Sequence, residues 1–215
     1  QALALPISVV WTPTGFSLSA LLIFGTKTWP GIFLGNFIYN FSSLIKTSDL
    51  LIMPILIAAI ISAGSLLQAY VSYFIMKRYS SSTFFSSVKD IFIFLISAGF
   101  LTCLIAGTIG VSTLYFSNNL TKELVFPTWY NFCVGDLLGV YIFTPTLVVW
   151  SLHRITFVPQ KRLSELLLMC LIFAAAIFGT FNEVPSFFAF FPLCIWASYR
   201  FHMHGATLAI LLVSL

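Results

Sequence analysis

Asp136 is the lone carboxylate in an otherwise apolar stretch from Trp129 to Trp150, within the run Gly135-Asp136-Leu137-Leu138-Gly139. A carboxylate in hydrocarbon costs about 2.5 to 3.5 kcal/mol on insertion scales, so it is kept there by a partner or a task. The chemistry open to it is to accept hydrogen bonds, to hold a proton or cation, or to clamp helices together. A nucleophile, base and orienter cannot be assembled around it, because His153, His202 and His204 all fall near the ends of apolar segments, away from Asp136. His202 and His204 are two apart, which puts them on different faces of a helix. No third ligand is near in sequence, so no metal site is expected. Cys103, Cys133, Cys170 and Cys194 lie within apolar segments without CxxC or Cys/His spacing and read as buried free thiols. Walker A, dinucleotide, GxSxG, HExxH and EF-hand patterns are absent from the sequence, so no cofactor is called for and the segment does not read as an enzyme.

The elements that must position Asp136 are membrane helices. Hydrophobic residues make up 60% of the chain and charged residues 7%, with a mean hydropathy of +1.03. A soluble domain carries roughly 25% charged residues, so this chain could not cover a water-facing surface. Apolar runs give eight segments, about 13–25, 30–45, 51–77, 88–116, 129–151, 163–181, 186–199 and 203–215. Several approach the roughly 20 residues that span a bilayer, while the first, second, seventh and eighth are short and read as tilted, broken or truncated helices. The alternation of a membrane barrel is missing. The expected fold is an all-α, polytopic integral membrane bundle.

Basic residues set the orientation. Alternate loops hold Lys27, then Lys77, Arg78 and Lys89, then Arg154, Lys161 and Arg162, then Arg200; the others hold only Lys46 and Lys122. The richer side is assigned to the cytoplasm, and the net charge of +4 follows from it without any nucleic acid. Gln1 to Val10 is apolar and reads as the tail of an earlier helix, not a secretory signal, and the last apolar run stops at Leu215. A fragment of a longer protein is expected, lacking an earlier helix, a last helix and a cytoplasmic output domain.

Four clusters carry the remaining signal. Trp11-Thr12-Pro13-Thr14-Gly15 suits a helix start with an aromatic anchor. Trp29-Pro30-Gly31, followed by Gly35 and Asn36, suits a second start, with Trp29 as interface anchor and Gly31 and Gly35 making room for close packing. Gly135 and Gly139 form a like pair around Asp136, which lies seven residues in from Trp129 and so on the order of 10 Å along its helix, in the outer half. Asn36, Tyr39 and Asn40, on a segment that runs outward, are its expected hydrogen-bond partners. Arg200 sits at the other side and is rejected as its counter-ion. Trp196 and Arg200, four apart, read as interfacial anchors, with the guanidinium snorkelling to water.

The order Trp11-x-Pro13-x-Gly15, then Trp29-Pro30-Gly31-Ile32 with Gly35-Asn36, then Gly135-Asp136-x-x-Gly139 with Pro145 and Trp150, then Phe191-Pro192-Leu193-x-x-Trp196 with Arg200 and Gly205-Ala206, resembles the first family of bacterial membrane-associated sensor domains. The resemblance covers nearly the whole chain. It implies a multi-pass input module of the bacterial inner membrane, joined to a histidine kinase of a two-component system, a diguanylate cyclase or a cyclic-di-GMP phosphodiesterase. The expectation is an outward-opening pocket lined by Trp11, Asn36, Tyr39, Asn40, Tyr130, Asn131 and Asp136. Its partners are the lipid bilayer, a small-molecule or membrane-protein signal, the output domain of the same chain and, as a further possible partner, a second copy. A transporter or permease subunit would also use an intramembrane carboxylate and interrupted helices, and is the alternative.

Overall fold

The computed structural model describes residues 10–45, 51–81, 84–153, 165, 167–169, 171–175 and 187–214. Among them the regular structure is helical: α1 (Thr12–Phe24), α2 (Trp29–Leu44), α3 (Ile52–Tyr79), α4 (Val88–Phe92), a π-helical stretch (Ile93–Leu101), α5 (Thr102–Phe116), α6 (Lys122–Leu152) and α7 (Phe187–Ser214). Backbone packing divides the chain into two compact units, Gln1–Thr144 and Pro145–Leu215. Cys170 and the basic residues Lys46, Arg154, Lys161 and Arg162 lie outside the described residues, as does most of the 163–181 segment.

The all-α expectation holds, but the eight spans do not. Among the described residues, three helical stretches are long and apolar enough to cross a membrane: α3, Val88–Phe116 and α6. α1 stops after 13 residues because Gly25 adopts φ 81 and returns its N–H to Leu21 O at 2.9 Å. At 1.5 Å per residue that is about 20 Å, short of a roughly 30 Å hydrocarbon core. The 16 residues of α2 fall short as well. The segments 186–199 and 203–215 form one helical stretch broken at His202, a non-glycine residue at φ 53.

The exterior of the long helices is apolar. Met53, Leu56, Ile60, Phe74, Phe92, Ile96 and Phe116 are all exposed, a surface that suits lipid and not water. Inside the first unit, Leu44, Ile57, Ala58, Ile61 and Leu114 join α2, α3 and α5, with Phe132 of α6 against them. The turn that carries Lys27 is tied down by Tyr70, whose hydroxyl donates to Thr26 O, two turns before Lys77 and Arg78 on α3.

A second buried carboxylate shows how this chain satisfies one. Asp90 is 1% exposed and accepts from Ser81 N–H (2.9 Å), Ser81 Oγ (2.5 Å) and Ser87 N–H (3.3 Å), while Ser87 Oγ accepts from Asp90 N–H in a capping box. The Ser87-x-x-Asp90 spacing is the sequence signal for it. Asp90→Ala leaves those buried donors unmatched and is expected to lower stability by about 2 kcal/mol, measured by unfolding in mixed micelles. An unchanged unfolding midpoint would show that the serine ring contributes nothing.

In the second unit, Met169, Phe173, Ala197, Phe201 and Ala209 form a core, with Trp196 half-buried against it. Gly205 is needed there, because a Cβ would stand 2.1 Å from Ala197 O. Arg200 is more than a snorkelling anchor: it forms a two-pronged pair with Glu165, Nε to Oε2 and Nη2 to Oε1, both at 2.6 Å. Trp150 Nε1 donates to Thr207 Oγ1 at 3.1 Å, and its ring meets His204 edge-on.

Candidate functional site

α1 and α6 meet backbone to backbone. Trp11 N–H donates to Gly135 O at 2.9 Å, Thr14 Oγ1 lies 3.2 Å from Asp136 O, and Thr144 Oγ1 donates to Gly15 O at 3.2 Å. A Cβ on Gly139 would stand 1.9 Å from Trp11 O, and one on Gly15 would stand 2.2 Å from Gly139 O. Only glycine at both positions permits this approach.

Asp136 lies at this joint, 5% exposed. Its main-chain carbonyl serves the joint, whereas no side chain among the described residues donates to its carboxylate. Its nearest thiol is Cys133, three residues before it and so one turn away on the same face of α6. Cys133 Sγ lies 3.8 Å from Cys103 O, and a Cβ on Gly107 would stand 2.5 Å from that sulfur. From α3, Gln68 Nε2 donates to Cys103 Sγ at 3.2 Å. Gln68 is 2% exposed, and its Oε1 has no hydrogen-bond partner. A buried polar seam therefore runs from Gln68 through the two thiols to Asp136, with acceptors in excess of donors.

The expected partners of Asp136 are placed otherwise. Asn36 Nδ2 donates to Ile32 O (2.9 Å), and Asn40 Nδ2 donates to Asn36 O (2.8 Å) and reaches Ser62 Oγ (3.5 Å). α2 packs on α3, and that contact together with the helix's own carbonyls takes up both amides. Tyr39 does reach the joint, its ring edge-on to Trp11 with centroids 4.7 Å apart. Tyr130 is 56% exposed and Asn131 is exposed as well. They precede Asp136 by six and five residues, which at 3.6 residues per turn puts them about a third of a turn or more off its face. Gly31 and Gly35 are also exposed, and a Cβ on either meets nothing within 4 Å, so among the described residues they pack against no other helix. Trp29 stands exposed at the start of α2.

The depth of Asp136 changes too. α6 begins at Lys122, so Asp136 is fourteen residues in, about 21 Å along, near the middle of the helix and not in its outer half. Beside it the Val88–Phe116 stretch turns π-helical over Ile93–Leu101, a form that often marks functional sites. Two of its carbonyls are met by side chains of other helices: Tyr141 of α6 donates to Leu95 O, and Ser72 Oγ of α3 lies 2.7 Å from Ala98 O. Gly99 makes the space, since a Cβ there would stand 2.2 Å from the Tyr141 ring.

Sequence reasoning passed over Gln68, Gly99 and the Glu165–Arg200 pair, and it named Gly15 only as part of a helix start. Gln68 had a signal of the same kind as Asp136, an isolated amide in a long apolar run.

Fold and site define a helical membrane domain built around a buried carboxylate with no side-chain donor among the described residues. The chain belongs to the MASE1 family of membrane-associated sensor domains, which it matches over residues 3–215. No curated protein and no solved structure matches it.

Proposed function

We propose that this chain is the sensory input domain of a bacterial inner-membrane signalling protein. In this reading it takes a ligand or membrane partner at Asp136, approached from the outer side past Trp11 and Tyr39, and regulates a cytoplasmic histidine kinase or cyclic-di-GMP output domain. Family membership supports the sensory part. The carrying observation is the Asp136 carboxylate, buried yet without a side-chain donor among the described residues.

A helix clamp would engage those oxygens, as the serines engage Asp90. What Asp136 gives to the α1–α6 joint is a main-chain carbonyl, which any residue supplies. The acid group is thus unexplained by packing, and a task remains. A ligand shifts output only by binding two states differently, so this reading requires a second packing of the helices around Asp136. The test is Asp136→Asn in the full-length protein at normal membrane levels, reading kinase or cyclase output under conditions that move the wild type. The expected result is loss of at least ten-fold in the stimulated response; a full response would sink the proposal.

A further inference from the structure

We infer that the ligand taken at Asp136 carries a small primary ammonium group, with Gln68 as its second contact. This rests on the reading of Asp136 as the signal site and adds the chemistry of what binds there. Two acidic or neutral acceptors, the Asp136 carboxylate and Gln68 Oε1, are each more than nine-tenths buried and lack a donor among the described residues. Gln68 Nε2 reaches Cys103 Sγ, and Cys133, one turn before Asp136 on α6, has its Sγ 3.8 Å from Cys103 O, so both acceptors belong to one seam between α3, α5 and α6.

The donor set excludes the other classes. An anion would need cationic or several N–H donors, and the seam offers two weakly donating thiols and the Gln68 amide N–H given to Cys103, beside a carboxylate that repels negative charge. A hard metal ion asks for about six oxygens in its shell, whereas here the flanking groups are sulfurs. A quaternary ammonium has charge for Asp136 but no N–H for Gln68 Oε1. A primary ammonium supplies both: charge-assisted bonds to the carboxylate and a further N–H for the amide oxygen.

The experiment uses the full-length protein in lipid nanodiscs, with methylammonium chloride as probe and tetramethylammonium chloride at equal ionic strength as control. Methylammonium is expected to raise the unfolding midpoint saturably, as a ligand of the folded state does, and tetramethylammonium to leave it unmoved. Asp136→Asn should abolish the shift. Gln68→Leu should weaken the apparent affinity at least ten-fold, and Gln68→Glu, which keeps the acceptor, should retain the response. Equal effects of the two salts, or a Gln68→Leu chain responding like wild type, overturn the inference. Loss of output in Asp136→Asn without any methylammonium response removes only the ammonium assignment. Unchanged output in Asp136→Asn removes the sensory reading with it.

Discussion

Gly139→Ala is expected to lower stability by about 3 kcal/mol, at the upper end of what overpacking costs. The added methyl would stand 1.9 Å from Trp11 O and 2.8 Å from Trp11 C, and those are backbone atoms that no rotamer change can move aside. Relief requires α1 to lift from α6, which breaks the Trp11 N–H to Gly135 O bond and the Thr14 contact with Asp136 O. Gly31→Ala and Gly35→Ala are the controls. Nothing lies within 4 Å of a Cβ at either, and alanine is the better helix former by up to about 1 kcal/mol, so both should be neutral or stabilising. SDS-driven unfolding followed by tryptophan fluorescence separates the three. A Gly139→Ala chain as stable as the controls would show that the helices do not touch there.

Those glycines also show how far the sequence could be read. Gly31 with Gly35 and Gly135 with Gly139 have the same spacing, yet one pair is exposed and the other buried in a helix joint. Spacing puts two residues on one face but does not say what that face meets. Helix type and the main segment positions followed from hydropathy, since a 28-residue, mainly apolar stretch such as α3 has few alternatives in a membrane. The true start of α6 was hidden because Trp129 resembles an interface anchor, and seven residues of misplaced start moved Asp136 from mid-helix to the outer half. Partners were the least legible feature. Asn36 and Asn40 had the right chemistry, but an amide on a helix can return its N–H to the carbonyl four residues back, as both do here. The partnership of Arg200 with Glu165 spans 35 residues and depends on a fold-back that hydropathy does not encode.

Asp136→Leu is the second large expectation, and its sign is unusual. Where a carboxylate clamps helices, replacement by leucine costs stability; here no side chain among the described residues is given up, and the joint keeps its main-chain bond. Removing a buried carboxylate of this kind should stabilise the domain by about 2 kcal/mol, somewhat less than the insertion cost of the charge. The same change should silence the response, since leucine offers a ligand neither charge nor acceptor. Stability gained while activity is lost is the mark of a residue kept for a task.

The most direct measurement is therefore a paired one on Asp136→Leu in the full-length protein: unfolding midpoint in lipid nanodiscs, and stimulated output at matched membrane levels. A midpoint at or above wild type together with a silent output is the predicted result. A midpoint well below wild type would make Asp136 a structural clamp, and a full output would leave it without a role in sensing.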